Sequence, residues 1–306
     1  MTVVTLGVHI VDVLTRPVES IPAGQDTVLV DQIRLTAAGS AAGTAVDLAR
    51  LGVEVISLGA IGDDELGDFL VAVMTRHGVD VSGLVRRSTD QTSASILPIR
   101  PDGGRPSFHV PGANLTVVPA DVDEDLLARA DVVHLGGPDV TFALNDPAFF
   151  AMLAAARAAG TIVTMDLLSN MPDLVQATTA FLPYVDYFLP NEEQALAMTG
   201  ETDPERAAHA LRAYGPKAVL VTLGAEGSLI ATEQGTVALA ALKIDVVDTT
   251  GCGDAYCAGF ITGLVHGKEV AEAARWATAA AATVAQGLGS DACLTDLETT
   301  LALLRA

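Results

Sequence analysis

Strand-like and helix-like segments alternate along almost the whole of this chain. VVTLG is followed by SAAGTAVDLARLG and VISLGAIG by DELGDFLVAVMTRHG; later come VVHLGG, PAFFAMLAAARAAG, TIVTMDLL, YFLPN, EEQALAMTG, PERAAHALRAYG and AVLVTLGAEGSLIA. Strands joined through helices run parallel, and the crossover helices cover the faces of their sheet. The pattern therefore predicts an α/β fold, a mostly parallel sheet with helices on both faces. Half of the 306 residues are hydrophobic but only 4% are aromatic, so helices rich in Ala and Gly can lie close to the sheet. Helical stretches run into Gly52, Gly78, Gly160 and Gly215, where a left-handed cap forms most easily. With no solenoid-length repeat and no low-complexity linker, residues 1–306 read as one unit.

Two segments break the rhythm. Residues 11–37 contain TVLVDQIRL, a strand with no crossover helix behind it, and in 91–112 the turn residues Pro101, Asp102, Gly103 and Gly104 separate SASILPIR from RPSFHVPG. Together they predict a small sheet beside the main one, too thin to own a core. Such a flap must cover something or pair with a second subunit, so a homodimer through it is expected.

The charge balance narrows the partners. Seventeen Lys and Arg against 38 Asp and Glu give a net charge of -21, which offers no footprint for nucleic acid and repels anionic lipid. The opening MTVVTLGVHIVDV lacks a basic leader and reads as a strand. Three cysteines, Cys252, Cys257 and Cys293, without CxxC spacing argue against a disulfide framework and for a cytoplasmic protein. His9, His134, His209 and His266 show no metal-ligand spacing and read as packing or surface residues.

The stretch 244–264, IDVVDTTGCGDAYCAGFITGL, is the most informative. A strand leads into a Gly-rich turn, and a helix begins near Asp254. Glycines at 251 and 253 allow close backbone approach, so the N–H groups of 251–254 converge on one anion with the helix dipole behind them. Asp254 at the lip is either a helix cap or a group facing a hydroxyl placed before a phosphate. No GxxxxGK[ST] loop occurs and the first strand leads to no GxGxxG turn, which disfavours P-loop and Rossmann proteins.

DTTGCGDAYCAGF resembles the C-terminal signature of the ribokinase-like (PfkB-type) carbohydrate kinases. The likeness extends to AAGSAAGTAVDLARLG (37–52) with GAIGDDELGDFL (59–70), to LPNEEQ (189–194) and to VTLGAEG (221–227), in the family's order. It implies an ATP-dependent phosphotransferase acting on a hydroxyl of a sugar or sugar-like metabolite, with Mg²⁺ and a lid at 11–37 and 91–112. Asp254 would be the base, with Gly251, Cys252 and Gly253 stabilising the transferring phosphoryl. Asn191, Thr222, Gly224 and Gly227 would contact nucleotide phosphates. Asp12, at the end of the first strand, would anchor substrate hydroxyls, with Gly39, Ser40, Gly43 and Asn114 also on the substrate side. Asp248 and the carbonyl of Thr250 would hold K⁺, and Gln194 would lie near Mg²⁺.

Departures from the family pattern matter as much. Where ribokinases carry two Asn and a Glu that touch the sugar, this chain has Ile10, Gly43 and Gly136. A pocket more apolar or roomier than one for ribose follows, open to a ketose, a sugar acid or a nucleoside. Gln194 replaces the Glu of the N-x-x-E motif and loses its charge. The alternatives are a nucleoside kinase of the same fold, or a sugar- or nucleoside-binding protein without catalysis.

Overall fold

In the computed structural model, residues 1–305 are described. The strands in chain order are β1 (Thr2–Gly7), β2 (Ile10–Arg16), β3 (Gln32–Ala38), β4 (Glu54–Gly62), β5 (Asp80–Arg87), β6 (Ala94–Pro98), β7 (Phe108–Val110), β8 (Val132–Gly136), β9 (Ile162–Asp166), β10 (Tyr187–Phe188), β11 (Ala218–Thr222), β12 (Ser228–Thr232) and β13 (Gly235–Leu239). Nine of them form one sheet in the order β13-β12-β11-β10-β9-β8-β1-β4-β5. It is parallel from β5 to β11 and closes with an antiparallel hairpin. The alternation read in the sequence thus has its expected consequence. Successive residues of β1 enter different cores, Val3 on one face with Ala258 and Ile261, Val4 on the other with Phe149 and Phe181.

The chain leaves β1 first toward β4 and β5, then returns to β8 on its other side. This reversal opens a crevice at the carboxyl ends of β1 and β8, the place where open α/β sheets bind ligands. Small residues bring the helix Cys252–Val265 against its neighbour Val270–Val284. A Cβ on Gly259 would come within 2.7 Å of the Ala277 Cα, and one on Gly263 within 2.7 Å of the Ala273 Cα.

A second sheet of order β3-β2-β6-β7 is built from the two segments that broke the rhythm. Its register aligns two rows across the strands. One is polar, Thr36, Asp12, Ser95 and His109; the next is apolar, Leu35, Val13, Ile96 and Phe108. Asp12, Thr36 and Ser95 are buried, whereas Phe108 is 60% and Ile96 52% exposed. Asp12 therefore belongs to β2 of this sheet and not to the end of the first strand, as the sequence suggested. The two residues Val8 and His9 between β1 and β2 carry the chain from one sheet to the other.

Candidate active site

The Gly-rich turn before the helix Cys252–Val265 has two glycines with different reasons to be glycine. Gly251 is left-handed at φ 78°, and a Cβ there would run into the backbone of Ser290. Gly253 has nothing within 4 Å of the position a Cβ would take and is exposed. Its bare Cα leaves the first turn of the helix open to an incoming group. Asp254 follows, partly buried. Burial first, then the like charges of Asp166 and Asp12, push its carboxyl well above the ordinary aspartate range. Cys252 lies beside it, partly buried. Burial pushes its pKa up to about 12 despite the opposing charge of Arg105.

Asp12 faces the same crevice from the second sheet. Burial lifts its pKa to about 6, opposed by a hydrogen bond from Ser95 and the charge of Arg105. Next to it the Thr36 hydroxyl is buried without a partner. Asp248 is buried and holds the turn together, its Oδ1 accepting from the Thr250 N–H at 3.0 Å and hydroxyl at 2.8 Å, its Oδ2 from Gly289 N–H at 3.0 Å. From the loop between β6 and β7, Arg105 donates to the Thr250 hydroxyl at 2.8 Å. It ties the second sheet to the Gly-rich turn.

Farther along the sheet edge, Asn191 and Thr222 lie side by side through a parallel bridge. Gly224 (φ 59°) and Gly227 (φ 104°) shape the turn that follows Thr222, closed by the Leu223 N–H donating to Gly227 O at 2.8 Å. The four residues expected around nucleotide phosphates thus share one corner. Gly39 (φ 91°) and the buried Ser40 sit where the loop before the helix Ala42–Arg50 meets the end of β8.

The chain matches the pfkB family carbohydrate kinase model over residues 2–297. It belongs to that family. It is 27% identical over 263 residues to the 2-dehydro-3-deoxygluconokinase of Bacillus subtilis, covering 82% of this chain and 81% of the relative. It is 31% identical over 238 residues to the aminoimidazole riboside kinase of Salmonella typhimurium, 73% of this chain and 72% of the relative. The structure of the Arabidopsis thaliana ribokinase complexed with ribose and ATP superposes with a TM-score of 0.84 at 26% identity, over 99% of this chain and 98% of that one. The fold is ribokinase-like, and the relatives are sugar and nucleoside kinases.

Against the PfkB pattern, the departures have physical outcomes that the sequence did not disclose. Gly43 leaves no free room, because the Asp254 carboxylate occupies the space its side chain would fill. At Gly136 a Cβ would come within 2.5 Å of the Ala41 nitrogen and the Ser40 carbonyl carbon. Both missing side chains are replaced by close packing, so the expectation of a roomier pocket is corrected at these two positions. Ile10 is buried in a small apolar cluster with Val8 and Ala38.

Two more expectations need correction. Asn114 was expected to face the substrate, yet both ends of its amide are used by His9: Oδ1 accepts from the His9 N–H and Nδ2 donates to the His9 carbonyl, each at 3.0 Å. It substitutes for a neighbouring strand where β1 crosses to β2. Gln194 was expected near Mg²⁺, yet it is buried in a capping box with Asn191, its Oε1 accepting from the Asn191 N–H at 2.9 Å. Its amide donates to Leu167 O and Ser169 O, both at 3.1 Å. It carries no charge, and its Oε1, the atom that would accept from a metal's water, is turned to the Asn191 N–H. His9 is a core histidine, its pKa lowered by burial to about 4, as its pattern suggested.

Sequence reading missed Asp47. In AVDLA it looks like the solvent side of a helix, but it is fully buried toward the site and both carboxylate oxygens lack partners. Burial, with Asp291 and Asp254 adding like charge, pushes it well above the ordinary range. A raised folded pKa means that stability falls as pH climbs from the unfolded value toward the folded one, each unit costing about 1.4 kcal/mol. Asp47→Asn should therefore match the wild-type melting temperature below pH 4 and exceed it by several degrees at pH 7 to 8. Thermal melts across that range check this; a difference independent of pH would contradict it.

Proposed function

We propose that the chain is an ATP-dependent kinase that phosphorylates a hydroxyl, a primary alcohol, of a small sugar or sugar-like metabolite. The observation that carries the reading is the pairing of Asp254 with an open helix N-terminus at Gly253 and with the polar row of Asp12 opposite. An acceptor hydroxyl held by Asp12 would lie between the Asp254 carboxylate and the phosphate. Asp254 takes its proton as the oxygen bonds to phosphorus, while the N–H groups of Gly251, Cys252 and Gly253 stabilise the oxygens of the moving phosphoryl. Asn191, Thr222, Gly224 and Gly227 hold the remaining phosphates, and Gly39 and Ser40 approach the acceptor by backbone. Mg²⁺ supplies charge neutralisation at the phosphates; Gln194 does not fit as its ligand, so water and the phosphates themselves would hold it. Use of ATP agrees with a cytoplasmic location.

The likeness to the riboside kinase supports a second reading, a nucleoside kinase with the same roles. An ADP-release screen with ATP, Mg²⁺ and a panel of sugars, sugar acids and nucleosides separates the two by the best acceptor. Since Ile10 replaces a polar contact, ribose should be a poor acceptor in that panel.

The second sheet acts in this reading as a lid, and its outer row, Leu35, Ile96 and Phe108 with Ile33 62% exposed beside it, is an apolar face that a second copy of the chain would cover. Light scattering at micromolar concentration should give the mass of two chains, and Ile96→Asp with Phe108→Asp should give one. A fully active wild-type monomer would contradict the dimer while leaving the lid.

A monovalent cation at Asp248 and the Thr250 carbonyl would stiffen the turn that presents the N–H groups. Replacing K⁺ by a large organic cation should lower kcat with little change in fold. Equal rates in both salts would count against it, leaving Asp248 as the brace for Thr250 and Gly289.

A further inference from the structure

We propose that His134, Asp166 and Cys257 form a buried site for a thiophilic divalent cation, with Zn²⁺ as its representative, beneath the helix that carries Asp254. His134 lies within β8 and Asp166 ends β9, while Cys257 sits one turn beyond Asp254. The register that pairs His134 with Thr164 puts His134 and Asp166 on one face of the sheet. One nitrogen, one carboxylate oxygen and one sulfur lie within 4.8 Å of one another, and all three residues are buried.

The second observation concerns unpaired atoms. His134 Nε2 and Asp166 Oδ1 face each other at 3.4 Å, too poorly aligned to make a hydrogen bond, and neither buried atom has a better partner. Native interiors rarely leave such atoms unpaired. The other ring nitrogen, Nδ1, is 2.9 Å from the Thr164 hydroxyl oxygen. With the proton on Nδ1 donated to Thr164, Nε2 turns its lone pair toward Asp166 and Cys257, the outer-shell arrangement that fixes metal-binding histidines. A mixed N, O and S donor set suits Zn²⁺, whereas Mg²⁺ takes oxygen alone. Bond lengths of about 2.0 to 2.3 Å to one ion require the three donors to draw together by only about an ångström.

Binding balances without an oxidant. The Cys257 S–H bond breaks, its proton leaves to solvent, and a metal–sulfur bond forms, while Asp166 and His134 give lone pairs; the two negative ligands match the ion's charge. The consequence for catalysis rests on the kinase reading: a dication one turn from Asp254 would hold its carboxylate as a weaker base, and occupancy would inhibit turnover.

The test of binding needs neither ATP nor an acceptor, so its failure and the failure of the kinase reading are distinct. The full-length protein, stripped with a chelator, is titrated with Co²⁺ and followed by the thiolate-to-cobalt charge-transfer band. One equivalent should saturate the band in the wild type and in the Cys252→Ala, Cys293→Ala double variant, and Cys257→Ala should lack it. Thr164→Val should weaken affinity about 10- to 100-fold through the loss of its bond to His134. Should Cys257→Ala fail to fold, His134→Gln, which keeps the thiol, should lose tight binding. No band in the wild type, a band that persists in Cys257→Ala, or unchanged affinity in His134→Gln would each overturn the site and leave a core His–Asp pair.

Discussion

Asp254→Asn should abolish turnover and leave the fold standing. Asn has the size of Asp and caps a helix equally well, so a residue that only capped the helix Cys252–Val265 could be exchanged at little cost. Losing a general base costs roughly 10²- to 10⁴-fold in rate. The carboxyl is pushed upward by burial, Asp166 and Asp12, which makes it a better proton acceptor than an aspartate at the surface. Because that base must be ionised, the acid limb of the kcat/KM profile should lie above the ordinary aspartate range and vanish in the variant. Steady-state kinetics with the best acceptor, set beside a thermal melt, checks both halves. Near wild-type kcat in Asp254→Asn would reduce the Gly-rich turn to a binding element.

The two glycines of that turn should respond in opposite ways. Gly253→Ala adds a methyl where no protein atom lies within 4 Å, and Ala in a helix is favoured over Gly by about 1 kcal/mol. The variant should be as stable as the wild type or slightly more so. If the moving phosphoryl comes to rest against this backbone, the methyl keeps it away, and kcat/KM for ATP should fall by about 10²- to 10³-fold, as when one stabilising donor is lost. Gly251→Ala instead forces a side chain onto a left-handed residue at φ 78° and against the Ser290 backbone. It should lose both activity and melting temperature. A fully active Gly253→Ala would mean that phosphate does not approach there.

Periodicity made much of this architecture legible. Buried parallel strands such as AVLV in β11 are uninterrupted apolar runs, and the Pro-Asp-Gly-Gly turn at 101–104 exposed one half of the second sheet. The reading of TVLVDQIRL was only half right, because its strand starts at Gln32 and the helix Ala42–Arg50 does follow it. The Gly-rich turn was legible for a different reason, since positive φ and open backbone leave glycine as their trace. What the sequence hid were contacts between segments far apart. Asn114 and His9 are 105 residues apart, and nothing local in PGANLTV tells an amide that binds backbone from one that faces a ligand. Gln194 looked like a weakened metal ligand until its partners on Leu167 and Ser169 were seen. Gly43 and Gly136 looked like vacancies because a missing side chain implies space only when no neighbour moves in. Asp47 escaped notice because the burial of a helix face depends on what packs there, here the helix bearing Asp254.

Acceptor-dependent ADP release by the purified full-length protein, with ATP and Mg²⁺ over a panel of sugars, sugar acids and nucleosides, tests the central claim most directly. The account predicts that one small hydroxylated compound stimulates ADP formation well above the ATP-only rate, that the product carries a phosphate on its hydroxyl, that ribose ranks below it, and that Asp254→Asn removes the stimulation. Ribose giving the highest kcat/KM would overturn the reading of Ile10, and stimulation that survives Asp254→Asn, or none with any member of the panel, would contradict the kinase assignment built on Asp254.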